Sequence, residues 1–133
     1  MKTMMFRLLR DCRGAAAVEF AFAIPVLATF MIGVLQFGQI LQTNGALRNA
    51  LGDGIRYAKV HPTATQSEVL TQTKAGLAGV AQSGITSLTF KRGTQNGADY
   101  GQISISYQMQ PMIPFAPLPP ITLSQTKTAY LPT

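Results

Sequence analysis

The feature that most constrains this chain is an apolar run from Gly14 to Leu35, in which Glu19 is the only ionisable residue. A helix of this length spans about 33 Å, close to the thickness of a bilayer's hydrocarbon core. Because basic residues dominate the segment before the run, the N-terminus is expected in the cytoplasm and the rest of the chain across the membrane. The sequence therefore predicts a single-pass membrane protein with an exported C-terminal part.

A cleaved secretory signal peptide is the main alternative for this run, because it also combines a basic start with apolar residues. The apolar region of such a peptide has about 7 to 15 residues and ends at a cleavage site of small residues. Here the run is longer, no such site follows Leu35, and the three alanines from Ala15 to Ala17 lie beside the basic residues instead. We therefore expect residues 15–35 to form a transmembrane helix.

Glu19 needs an explanation, since a carboxylate in a membrane helix costs a few kcal/mol unless it is paired, protonated or close to an interface. Two interpretations are open: Glu19 reaches headgroup water, or it has a function. A cut between Gly14 and Ala15 would place a new amine one helical turn from Glu19, and a carboxylate in a first turn also opposes the positive end of the helix dipole. Cleavage would therefore create the partner that this charge lacks.

The segment around Glu19 also resembles known sequences. Residues 14–20, "GAAAVEF", resemble the processing motif of type IV prepilins, in which a glycine precedes the cut, glutamate is fifth after it and an aromatic residue is often sixth. Over residues 13–58 the chain resembles the TadE-like pseudopilins of the tight-adherence (Tad, or Flp) pilus system. It departs from them in having "QFGQ" at 36–39 and "ALGDGIRYA" at 50–58, where those proteins typically show "EFGR" and "AAREGARYA".

This resemblance implies a pseudopilin, or minor pilin, of a Tad-type machine for adhesive pili or secretion, held in the bacterial inner membrane with its C-terminal domain in the periplasm. It implies cleavage after Gly14 by a prepilin peptidase, so that Ala15 becomes the new N-terminus. It also implies assembly through Glu19, which would meet the amine of a neighbouring subunit, and the adjacent Phe20. The implied partners are the peptidase, other pilins or pseudopilins, the inner-membrane assembly platform and the lipid bilayer.

Two other classes remain open. An uncleaved single-pass protein whose exported domain binds a ligand or partner would keep residues 1–14. A soluble domain exported by a conventional signal peptide would be cut beyond residue 35. The mass of the mature N-terminus distinguishes all three.

The helix is predicted to continue beyond the membrane, over residues 36–60. Apolar residues recur there at spacings of three or four, which gives a stripe for packing: Ile40, Leu47, Leu51, Ile55 and Ala58. Glycines weaken a helix by up to about 1 kcal/mol each, so Gly52 and Gly54 predict a break near 52–54. Within the apolar run, Pro25 has two interpretations: the proline is simply tolerated in a membrane helix, which is favoured, or it kinks the helix, because proline lacks a backbone donor.

The remaining sequence predicts an α+β domain over residues 61–133. A capping box at Thr65 to Glu68 opens a short second helix that is expected to end near Gly84. Alternating residues then predict strands around 88–90, over 103–109 and over 121–130, although Gln125 and Lys127 interrupt the alternation of the last one. The predicted fold is α+β and type IV pilin-like: a long N-terminal helix, a short second helix and a small three-stranded antiparallel sheet.

The proline-rich segment "PMIPFAPLPP", residues 111–120, lies between the second and third predicted strands and cannot itself be a central strand. Its apolar side chains either cover the domain's own core or form an exposed surface for a partner or the membrane. The core interpretation is favoured, since a small domain needs its apolar contacts. Under the other interpretation, Phe115 and Leu118 form the partner surface.

Composition argues against other functions. The net charge of +6 would suggest nucleic acid, but half of it lies in the first 14 residues, and no basic stripe with interleaved aromatic residues follows. Cys12 is the only cysteine and His61 the only histidine, which excludes an intrachain disulfide and a thiolate zinc site. With no catalytic set or phosphate-binding glycine loop, we expect no enzyme, metal, cofactor or nucleic-acid partner.

Overall fold

The computed structural model describes residues 13–113 and 117–132 of the chain. Two helices precede three strands, and a single 3₁₀ turn lies between the two groups. The elements are α1 (Arg13–Val60), α2 (Gln66–Ala75), the 3₁₀ turn (Gln82–Gly84), β1 (Ile85–Gln95), β2 (Ala98–Met109) and β3 (Ile121–Tyr130). The sheet is antiparallel with the order β1-β2-β3. The predicted α+β layout is therefore confirmed.

Helix α1 runs without interruption through Pro25 and through the glycines at 52 and 54. The predicted break near 52–54 is wrong, because tertiary packing outweighs the helix-propensity cost of glycine. A Cβ atom at Gly54 would collide with Thr73 Oγ1 and lie 2.8 Å from Ile103 Cδ1. Glycine at this position thus allows α2 and the sheet to approach α1 closely.

Helix α2 begins with the predicted capping box. The Thr65 amide donates to Glu68 Oε2 at 2.7 Å, and the Glu68 amide donates back to Thr65 Oγ1 at 3.3 Å. Two hydrogen bonds from Thr65 stabilise the ionised carboxylate of Glu68 and so lower its pKa; the bond from the backbone amide has the larger effect and the bond from the hydroxyl the smaller one. The helix ends at Ala75 rather than near Gly84, because Gly76 and the residues after it form turns against α1; a Cβ at Gly76 would lie 3.1 Å from Ala50 Cα.

Strands β1 and β2 are longer than predicted and meet in a tight hairpin. Asn96 and Gly97 both have positive φ, 54° and 78°, and they connect strands that pair up to the turn itself. Such a two-residue turn matches the right-handed twist of the strands. The residues on either side of it, although typical of turns, therefore pair with each other as part of the two strands. Gly93 leaves room for the Tyr100 ring across the pair, since a Cβ there would lie 2.7 Å from Tyr100 Oη.

The core forms where the inner face of the sheet packs on α2 and on the C-terminal half of α1. Of the predicted stripe on α1, Leu47, Leu51, Ile55 and Ala58 are buried, and Ile40 is half-buried. Facing them are the buried side chains of α2 and the sheet: Val69, Thr73, Phe90, Ile103, Ile105 and Tyr107. Burying a large apolar side chain contributes about 2 kcal/mol, so this cluster holds together the C-terminal domain, formed by α2, the sheet and the C-terminal half of α1.

Strand β3 has the predicted bounds and runs along α1 in the same direction. The two residues that interrupt its alternation still point toward the helix. Gln125 Nε2 donates to Asn44 Oδ1 at 2.8 Å, and Lys127 Nζ would lie 3.2 Å from a Cβ at Gly52. Polar side chains are accommodated here because β3 is the edge strand on this side of the sheet.

Candidate functional site

The N-terminal half of α1 is an apolar surface that the other described residues leave uncovered. Every residue from Gly14 to Met31 is exposed, and this part of α1 is long and apolar enough to cross a membrane. Its exposed large side chains are Val18, Phe20, Phe22, Ile24, Val26, Leu27, Phe30 and Met31. An uncovered apolar surface of this extent is typical of a segment that contacts lipid or another helix.

The residues of the predicted processing site lie in the first turns of α1. The helix begins at Arg13, so Gly14 and Ala15 belong to its first turn, where backbone amides have no acceptor within the helix. A Cβ at Gly14 would have no neighbour within 4 Å. Residues 1–14 are the predicted basic cytosolic leader that cleavage would remove, and of these, residues 1–12, including Cys12, lie outside the described residues.

Glu19 and Phe20 follow one turn later on the same uncovered surface. The rise from Ala15 to Glu19 is about 6 Å, and both Glu19 and Phe20 are exposed. Among the residues that the structure describes, the C-terminal domain packs against the other half of α1 and does not cover this carboxylate. The described residues packed in that domain therefore provide no partner for Glu19.

Pro25 is accommodated within the helix without a break. Thr29 Oγ1 donates to the Pro25 carbonyl at 2.8 Å, which satisfies the hydroxyl inside the helix and makes Thr29 compatible with lipid. Proline has no amide to donate to the carbonyl one turn earlier. The kink itself stays a prediction.

Gln36 marks the point where α1 first meets the C-terminal domain, and sequence reasoning missed its role. It follows the apolar run directly, yet only 6% of its surface is exposed. Gln36 Oε1 accepts a hydrogen bond from the Met112 amide at 2.7 Å, and Nε2 donates to Met109 Sδ at 3.3 Å. The position of this polar side chain at the end of an apolar run could have indicated a role. Its partners could not be predicted, because they are distant in sequence.

The proline-rich segment begins at this contact. Met112 and Leu118 are 52% and 47% exposed, whereas Ile113 is half-buried. The core interpretation is therefore wrong for Met112 and Leu118, and their side chains are available to something outside the domain. Phe115, the other residue of the predicted partner surface, lies outside the described residues.

The polar side chains His61 and Arg92 in the C-terminal domain stabilise its turns. His61 lies in the turn after α1, and its ring stacks on Tyr57 with the ring centroids 4.3 Å apart. Arg92 on β1 donates to the carbonyls of Pro62 and Ala64, which holds the α1–α2 connection against the sheet. Among the residues that the structure describes, no three His, Cys, Asp or Glu side chains are grouped to hold a metal ion.

Comparison with known proteins gives a family match for most of α1. Residues 14–56 match the family described as TadE-like protein, so the resemblance found in the sequence is confirmed over this segment. The match covers the apolar half of α1 and most of its C-terminal half, and it ends before α2 and the sheet. No curated protein and no solved structure matches the chain.

Proposed function

We propose that this chain, TadE-like over residues 14–56, is a pseudopilin or minor pilin of a Tad-type pilus assembly or secretion machine. One observation carries the proposal: an uncovered apolar half-helix bears a single carboxylate, Glu19, five residues after Gly14. The same helix continues unbroken into a small exported domain. The N-terminus would lie in the cytoplasm and the domain in the periplasm, in line with the basic residues before the helix.

Cleavage after Gly14 would prepare the helix for assembly. The new α-amino group on Ala15 would carry a positive charge over most of the population at neutral pH, because its ordinary pKa is about 8. In a bundle of staggered helices, this amine lies at the level of a neighbour's Glu19. Pairing removes the cost that either charge has in a medium of low dielectric constant, which favours the assembled state.

The extent of the exposed apolar surface supports assembly through helices rather than through the exported domain. Phe20 and Phe22 are 65% and 75% exposed beside Glu19, so helices of neighbouring subunits can pack around the charge and exclude water from it. The prepilin peptidase, the other pilins and the assembly platform are the partners that this function requires. No cofactor or nucleic acid enters the proposal.

The test is the N-terminal sequence and intact mass of protein extracted from membranes. Wild-type protein is expected to begin at Ala15. The Gly14→Val variant is expected to keep residues 1–14, because a branched side chain then precedes the cut. Since a Cβ at Gly14 has no neighbour within 4 Å, this substitution should leave the fold unchanged.

Gly33→Val is the matched control, because Gly33 lies on the same helix and a Cβ there also has no neighbour within 4 Å. This variant should be cleaved like wild type. Wild-type protein that retains residues 1–14 in cells with intact pili would contradict the proposal and favour an uncleaved single-pass protein. A cut beyond residue 35 would favour conventional export.

A further inference from the structure

The described residues of the connection between β2 and β3, 110–113 and 117–120, lie where the apolar run of α1 ends. We call these eight residues the membrane-proximal loop. Gln36, directly after Leu35, accepts a hydrogen bond from the Met112 amide at 2.7 Å and is almost completely buried. Because the rise per helical residue is about 1.5 Å, the start of this loop lies within one turn of the end of the membrane span.

The end of the domain that carries this loop has no charged side chain. The sequence contains no Asp, Glu, Lys, Arg or His from Phe20 to Leu47 or from Tyr100 to Thr126. Arg48, the first charged residue of the exported helix, lies about 18 Å beyond Gln36 along α1. Since charged groups are costly near hydrocarbon, their absence lets this end of the domain approach lipid.

Exposed apolar side chains extend from the membrane span onto the loop. On α1, Phe37 is 62% and Leu41 is 55% exposed, and both lie within two turns of the Gln36 contact. On the loop, Met112 and Leu118 are exposed to a similar degree. In water this group would be an apolar patch without a cover, whereas against the acyl boundary of a bilayer it is favourable.

The backbone of the loop suits the same environment. Five of the ten residues from Pro111 to Pro120 are proline, and each proline removes an amide donor. Irregular backbone is costly near lipid because its donors find no acceptor there. A proline-rich segment reduces this cost without needing a strand or a helix.

We propose that the membrane-proximal loop inserts into the outer interface of the bilayer beside α1, with Met112 and Leu118 contacting lipid. The chain then touches the membrane at two places, which fixes both the depth and the tilt of the exported domain. This inference rests on the part of the proposed function that places α1 across the membrane. It does not depend on cleavage or on pilus formation.

Single-tryptophan variants test the proposal, because the chain contains no tryptophan. Full-length Leu118→Trp and Met112→Trp are reconstituted in phosphatidylethanolamine/phosphatidylglycerol vesicles, with and without bromine on the acyl chains near the headgroups. Phe30→Trp, within the apolar run, reports on the position of α1. Tyr130→Trp is the aqueous control, since Tyr130 is 60% exposed and lies about 30 Å along β3 from the loop.

Bromine quenches tryptophan only when the two are close. In brominated vesicles, both loop variants are expected to lose nearly as much emission as Phe30→Trp and several-fold more than Tyr130→Trp. The Tyr130→Trp control also corrects for the general affinity of tryptophan for membrane interfaces. Loop tryptophans quenched no more than Tyr130→Trp, with Phe30→Trp strongly quenched, would overturn the inference and leave α1 in the membrane. An unquenched Phe30→Trp would reject the membrane anchoring in the proposed function and this inference with it.

Discussion

Replacing Gly54 by valine is expected to destabilise the C-terminal domain by about 3 kcal/mol or more, because overpacking a tight core has costs of this size. A Cβ at this position collides with Thr73 Oγ1 and comes within 2.8 Å of Ile103 Cδ1. Neither neighbour moves easily: both are completely buried, and Thr73 Oγ1 is held by a hydrogen bond of 2.8 Å to the Val69 carbonyl. Strain therefore has to spread into the contacts between α1, α2 and the sheet.

The measurement is thermal unfolding of the full-length protein in detergent, followed by circular dichroism at wavelengths that report on the sheet. For a domain of this size, the expected loss lowers the Tm by about 12 °C or more. Gly45→Val is the matched control, since Gly45 lies on the same helix and a Cβ there has no neighbour within 4 Å. Equal Tm values for the two variants would show that Gly54 is not a close-packing residue.

Replacing Glu19 by alanine is expected to abolish assembly while leaving insertion and cleavage intact. In the proposed assembly, the variant removes the only carboxylate of the apolar run, so the amine of a neighbouring Ala15 would stay unpaired in a medium of low dielectric constant. Removing one partner of a buried ion pair costs about 3 kcal/mol or more. Because 1.4 kcal/mol corresponds to a factor of ten in an equilibrium, pilus yield should fall by about a hundredfold or more.

Pili sheared from cells are quantified together with the N-terminal sequence of the membrane-bound protein. Val18→Ala, the matched control, shortens the neighbouring side chain but keeps the charge, and it should assemble normally. Glu19→Gln separates charge from shape, since it keeps the size of the side chain, and it is expected to fail like Glu19→Ala. Normal piliation by Glu19→Ala would contradict the assembly role of this carboxylate.

The sequence was most informative where a single element determines the pattern. The apolar run, the stripe of Leu47, Leu51 and Ile55, and the capping box at Thr65 all depend on spacing within one helix, and the structure confirms them. The bounds of β3 were also predicted, because proline at 120 limits the strand at its start. The TadE-like motifs also lie within one helix, α1, so they could be recognised from residues that are close in sequence.

The failed predictions concern positions where distant parts of the chain meet. Gly54 predicts a weak helix by propensity, but its actual neighbours are Thr73 and Ile103, which no local pattern could indicate. Gly76 similarly ends α2 early because it packs on Ala50. The bond between Gln36 and the Met112 amide joins residues 76 positions apart, so the orientation of the proline-rich loop could not be predicted from its composition.

The unbroken course of α1 from its first turn to Val60 also has a mechanical consequence. In the proposed assembly, a force that neighbouring subunits apply to the exposed N-terminal half of α1 would be transmitted along the unbroken helix to the sheet. Each residue of axial stagger between neighbouring helices would displace the C-terminal domain by about 1.5 Å. The stagger at the level of Glu19 would therefore set the axial spacing of these domains.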